Sequence, residues 1–283
     1  MTRYIAAYDT ESPRCLKACA RIVEAHERRD MPATFFITGK TLEANLAEYR
    51  RLLDHPLFEV ASHTWSHKSL RDHPLCGPAV SRQEIAEEIT RGVEAVQQVF
   101  DMPCQGVRPG CSFEHGLAGA PEILQIVADA GLKYISSLAW GRDYSLPAPL
   151  NQPRTYADDA HPDLWELPCH GWHENLLKNH NKWGSRRLTL WPPEMPEAIP
   201  PGFLETPQQE FDVNRVFLNR ARDDDLCFVS LIWHPWSLYA FDPDMAMLDL
   251  TFGYVRSLGL EPTTYAGLWQ ELAQDHERAG NTT

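Results

Sequence analysis

Short apolar runs alternate with amphipathic stripes along most of the chain, and that alternation limits the fold more than any other feature. Arg3–Tyr8, Ala33–Ile37, Phe58–Ser62 and Leu226–Trp233 are short and rich in apolar residues, which reads as strand. Weaker strand signals lie at Gln105–Arg108, Lys133–Ser137, Leu164–Leu167 and Pro262–Tyr265. Between them, Leu16, Cys19, Ala20 and Val23 recur at helical spacing, as do Leu42, Leu46, Tyr49 and Leu53. Ser81 and Glu84 form a capping box ahead of the stripe Ile85, Ile89, Val93, Val96 and Phe100. Further helices are expected from Pro121, over Phe211–Ala221, over Met245–Leu258 and over Ala266–Ala273. Strands that alternate with helices pair in parallel through right-handed crossovers. Seven or eight such units in one chain predict an α/β barrel, with its chemistry at the C-terminal strand ends. No linker or repeat divides the sequence, so residues 1–283 read as one domain with a core from about 4 to 272.

Charge and composition remove several classes of function. Basic residues number 26 and acidic residues 39, a net charge of −13, which disfavours broad binding to nucleic acid or to anionic membranes. No apolar run approaches the ~20 residues of a membrane span. The opening Met1-Thr2-Arg3-Tyr4-Ile5-Ala6-Ala7-Tyr8-Asp9 is too short and too soon acidic for a signal peptide. Seven cysteines without a C-x-x-C pair predict reduced thiols and a cytoplasmic protein.

Four segments carry candidate chemistry, each just after an expected strand. His63 and His67 are four residues apart, so a helical turn would place both imidazoles on one face, either as metal ligands or as surface or capping histidines. Asp9 and Glu11 supply two carboxylates, for a metal and a base or for a solvated loop in which Ser12 caps the helix at Pro13. His234 follows the most apolar strand, as a general acid or as a buried neutral histidine. Arg108 ends another strand, in the site or in an ordinary salt bridge.

Tyr8-Asp9-Thr10-Glu11, Pro32-Ala33-Thr34-Phe35-Phe36, the His63/His67 pair, Arg108-Pro109 and the late His234 occur in an order that resembles the polysaccharide deacetylase superfamily, carbohydrate esterase family four. The resemblance runs from about Ile5 to Trp269. It implies a distorted, incomplete (β/α) barrel of about seven parallel strands and a divalent metal, commonly Zn2+. On the matching positions His63 and His67 are metal ligands, Asp9 is the catalytic base, Arg108 orients it, and His234 is the general acid. The family usually has a second aspartate where Thr10 stands, so Glu11 becomes the third ligand and the division of labour between Asp9 and Glu11 is open. Gly110 and Cys111 replace the usual aromatic after Arg108-Pro109. His234-Pro235-Trp236 is more like the branch of cytosolic peptidoglycan-deacetylase-like and allantoinase-like proteins.

The expectation is therefore a metal-dependent hydrolase of C–N amide bonds, an N-deacetylase of an amino sugar or saccharide-like substrate. The alternatives are an allantoinase-like ring-opening amidohydrolase and a non-catalytic carbohydrate-binding barrel. Trp65, Trp140 and Trp236 are candidate stacking surfaces for substrate, against a plain packing role. His170, His173 and Glu174 do not match a zincin spacing and read as a polar loop rather than a second metal site. The Trp-rich 170–205 segment would cover the site or pack against a second subunit in a homo-oligomer.

Overall fold

The computed structural model describes residues 1–178 and 189–280. The chain starts with β1 (Arg3–Thr10), α1 (Cys15–Arg29), β2 (Ala33–Ile37), α2 (Gly39–Ala44), α3 (Leu46–Leu53) and β3 (Phe58–Ser62). It continues through α4 (Arg82–Phe100), β4 (Gly106–Val107), α5 (Pro121–Asp129), β5 (Tyr134–Ile135), β6 (Arg154–Tyr156) and β7 (His161–Glu166). The last third holds α6 (Glu174–Leu177), α7 (Pro207–Asp223), β8 (Phe228–Trp233), α8 (Pro235–Phe241), α9 (Ala246–Ser257), β9 (Glu261–Pro262) and α10 (Tyr265–Gly280). The strand order is β6-β7-β5-β4-β3-β2-β1-β8, with β9 paired to the start of β1. From β7 to β8 every neighbouring pair is parallel, seven strands in all, and only β6 is antiparallel.

The expected incomplete barrel is present, and side chains bridge its open seam between the β6–β7 end of the sheet and β8. The Gln152 amide accepts from the Phe228 N–H and donates to the Phe228 carbonyl, as a neighbouring strand would. Ser230 N–H donates to His170 Nδ1, and Tyr265 Oη donates to the Pro168 carbonyl. His170 is thus a seam residue: its Nε2 donates to the Asn151 carbonyl, and burial pushes its pKa down to about 4.

Strand alternation decides what enters the lumen. Ile5 and Ala7 of β1, Phe36 of β2, Ala61 of β3, Tyr134 of β5 and Phe228 of β8 form an inner cluster plugged by Tyr265 and Leu268 of α10. Tyr4, Ala6 and Tyr8 face the helices instead. Continuing each inner row by two residues takes Ala7 to Asp9 and Ala61 to His63; Ile232 to His234 and Gly106 to Arg108 extend the corresponding rows of β8 and β4. Gly106 must lack a side chain, because a Cβ there would overlap the Tyr134 ring. Each large apolar side chain in this cluster contributes roughly 1.5–3 kcal/mol on burial.

Local expectations are modified in several places. The Ser81/Glu84 capping box forms as expected. The helix expected to start at Pro13 starts at Cys15, whose N–H takes the Ser12 carbonyl, so Ser12 does not cap through its side chain. The stripe from Leu42 to Leu53 is split at Asn45, whose φ of −148° breaks the helix. The cysteines also depart from expectation. Cys76 and Cys111 form a disulfide, because the β3–α4 loop folds back onto the turn after β4. Cys15, Cys19, Cys104, Cys169 and Cys227 are free. Among the described residues no helix is long and apolar enough to cross a membrane.

Candidate active site

The four strand-end segments converge on one cavity of about 290 Å3, lined by Asp9, Glu11, His63, His67, His234 and Trp236 among others. The ligand atoms of Glu11, His63 and His67 lie within 4.8 Å of one another. The two imidazole centroids are 4.9 Å apart, and Glu11 Oε2 lies 3.2 Å from His67 Nε2.

These rings meet for a different reason from the one the spacing suggested. Residues 63–67 are not a helical turn: Thr64 and His67 have φ of 62° and 65°. Glu88 of α4 secures the loop, its carbonyl accepting from Trp65 N–H and its carboxylate from Ser66 N–H. Thr64 Oγ1 accepts from His67 N–H. Gly110 presses directly on His67, and a Cβ there would come within 2.8 Å of the ring. Any side chain at 110 would therefore displace the His67 ring.

The donor set fits a divalent metal. His63 Nδ1 donates to the Arg108 carbonyl across 2.7 Å, so its lone pair is on Nε2. That Nε2 is buried with no hydrogen-bond partner, and burial lowers the His63 pKa to about 4. A neutral imidazole held this way is the ligand form. Burial raises the Glu11 pKa, but His234, His67 and His63 outweigh it and the net shift is downward. Trp236 Nε1 donates to Glu11 Oε1 at 3.2 Å, which leaves Oε2 toward the histidines. Two histidines and one carboxylate with a remaining open position match a catalytic zinc site.

Asp9 and His234 line the same cavity as these three donors. Arg108 Nη1 donates to Asp9 Oδ1 at 2.6 Å, and its Nη2 donates to Ser136 Oγ. The guanidinium lies over the Phe36 ring at 4.0 Å. Burial pushes Asp9 up, but Arg108 with His63 and His234 holds it at about 2. His234 N–H donates to Glu174 Oε1 at 2.7 Å, with His234 Nδ1 3.1 Å from the same oxygen. Burial lowers the His234 pKa, but the Glu174 hydrogen bond and the charges of Glu11, Glu174 and Asp9 raise it to about 9.

Glu174 was missed as a site residue by sequence reasoning. It begins the four-residue α6, where no periodicity marks it. Lys178 Nζ bonds Glu174 Oε2 at 2.6 Å and Glu210 Oε1 at 2.9 Å, and all three side chains are buried. Burial raises Glu174, yet Lys178 and His234 bring its pKa well below the usual carboxylate range. Burial leaves Glu210 raised. His173 and Asn175 also line the cavity.

The tryptophans divide. Trp236 lines the cavity. Trp65 does not: its ring packs on Gly39 and carries the Arg91 guanidinium at 3.7 Å, because the loop turns it toward α4. Trp140 is buried behind the wall, donating from Nε1 to the Cys111 carbonyl and lying 4.6 Å from the His173 ring. The 170–205 segment falls partly outside the described residues, at 179–188; from its first part His173 and Asn175 line the cavity.

A family model described as polysaccharide deacetylase matches residues 8–135. The deacetylase match spans Asp9, Glu11, His63, His67 and Arg108, and stops before His173, Glu174 and His234. Among solved structures, the Puue allantoinase is similar with a TM-score of 0.66 and 10% identity, over 95% of this chain and 88% of that one. A putative polysaccharide deacetylase from Mycobacterium smegmatis has a TM-score of 0.56 and 21% identity, over 93% of both chains. A carbohydrate esterase family four pseudoenzyme from Bacillus anthracis has a TM-score of 0.54 and 14% identity. That alignment covers 95% of this chain but 65% of the pseudoenzyme, so the present chain spans about two thirds of it. These likenesses establish the fold. A search of curated proteins finds no match.

Proposed function

We propose that the chain is a metal-dependent hydrolase of C–N amide bonds, with Zn2+ held by Glu11, His63 and His67, and that it removes an N-acetyl group from an amino sugar or saccharide-like substrate. One observation carries this reading: a three-donor cluster shares one cavity with a carboxylate held ionised and a histidine held protonated. A non-catalytic barrel has no need of that pair.

A divalent ion held by Glu11, His63 and His67 would supply Lewis acidity to the amide carbonyl and to the attacking water. Asp9 accepts the proton of the attacking water, as its ionised state allows. Arg108 fixes the Asp9 carboxylate and keeps it charged in a buried position. His234 donates a proton to the departing nitrogen, so the amine leaves neutral. Glu174 orients His234 through both its backbone N–H and its ring.

A ring-opening reaction of a small cyclic amide uses the same steps, and the modest cavity of about 290 Å3 favours it as the second reading. Assay of the zinc-loaded protein against N-acetylglucosamine and a cyclic ureide separates them. Acetate release supports deacetylation, ring opening supports the second reading, and neither product contradicts both.

A further inference from the structure

We infer that His173 and Asn175 form a substrate subsite, which takes the hydrogen-bonding groups of an uncharged amide on the side away from its scissile carbonyl. The inference rests on the hydrolase reading and adds the part of the site that selects substrate. Both residues line the same cavity as Asp9, Glu11 and His234. Neither side chain makes a hydrogen bond among the described residues, and His173 Nε2 and Asn175 Oδ1 are buried without a partner.

Their neighbours show that this is not general to the segment. His170 bonds through both ring nitrogens, and Glu174 and Lys178 are paired and buried. Among the described residues of this stretch, only these two, which line the cavity, have buried side-chain polar atoms without a partner. An unsatisfied buried polar atom costs about 1–3 kcal/mol, which a complementary ligand recovers. A site of this kind rejects ligands that lack the matching groups.

The pair is also held in place. The His173 ring lies against Trp140, itself fixed to the Cys111 carbonyl. Asn175 adjoins Glu174 on α6, which is tied to His234 and Lys178. Burial pushes the His173 pKa down to about 3, so its ring offers one donor and one acceptor without charge. Hydroxyl, amide and ureide groups are complementary to such a pair. Sugar hydroxyls and a ureide edge are two sources of this one chemistry.

The test compares zinc-loaded wild-type protein with His173→Phe and Asn175→Leu, using N-acetylglucosamine and hydantoin as probes in calorimetric titrations. Zinc content and melting temperature are measured on the same samples. We expect wild-type protein to bind at least one probe, which identifies the source, and each variant to bind it at least about tenfold more weakly. Zinc content should stay the same. Melting temperature should hold or rise, because no internal hydrogen bond is lost. A clear drop in melting temperature assigns the pair a structural role and overturns the subsite. Unchanged binding in both variants at full zinc content overturns the subsite alone. Binding of neither probe by wild-type protein overturns the assigned ligand chemistry, and failure to take up zinc overturns the hydrolase reading as well.

Discussion

Arg108 Nη1 and Asp9 Oδ1 meet at 2.6 Å although 99 residues separate them in sequence. The contact exists because β1 and β4 end on the same rim of the barrel, and their inner rows point to the same place. Arg108 is 1% exposed, so the pair is desolvated.

Breaking that pair should affect folding and chemistry together. Arg108→Met leaves a buried carboxylate uncompensated and should cost about 3–5 kcal/mol in denaturant unfolding. Asp9→Asn keeps the shape and removes the basicity. It should abolish the chemical step while substrate binding, read by titration, remains close to wild type.

The acid role proposed for His234 has a measurable pH signature. His234 is raised from 6.5 to about 9, so kcat/KM should fall on the alkaline side as it deprotonates. Glu174→Gln weakens the hydrogen bond and removes one of the three carboxylate charges that raise it, and should move the alkaline limb down toward the ordinary histidine range. An unmoved limb would mean that another group sets it. In metal-free protein, the stability from this shift is complete below 6.5 and is lost as pH rises through about 9.

Leaving-group dependence checks the role of His234 separately. His234→Ala should slow hydrolysis of amides with poor leaving amines more than hydrolysis of activated esters, which need less protonation. Equal slowing of both would assign the proton to a different donor.

How far these residues could be read from sequence follows from where each sits. Asp9, His63, Arg108 and His234 all follow apolar runs, and strand parity directs them inward. His67 was also legible, though by a route the sequence hides: left-handed residues and Glu88 place the ring where a helical turn was expected to. Glu174, Lys178 and Glu210 were not legible as a group. Glu174 and Lys178 lie on α6 and its C-terminal end and Glu210 on α7, and only tertiary packing brings the two elements together into a buried network of charges. Trp65 misled for the converse reason, since proximity to His63 along the chain says nothing about which side of the loop its ring takes. The seven strands were largely anticipated, whereas the short antiparallel β6 has no apolar run to announce it.

The Cys76–Cys111 link predicts a specific peptide map. Alkylation of native protein followed by digestion should yield those two cysteines joined and the other five free. Closing a segment with a sequence separation of 35, the bond should contribute about 2–4 kcal/mol, lost on reduction. Alkylation of all seven cysteines without reductant would contradict the pairing.

The central claim is that Glu11, His63 and His67 hold one divalent ion, and metal content tests it most directly. Purified wild-type protein, equilibrated with zinc and desalted, should retain about one equivalent by elemental analysis. His63→Ala should lose that ion and the amide-hydrolysing activity while keeping its circular dichroism spectrum. Undiminished zinc in the folded His63→Ala protein would contradict the assignment.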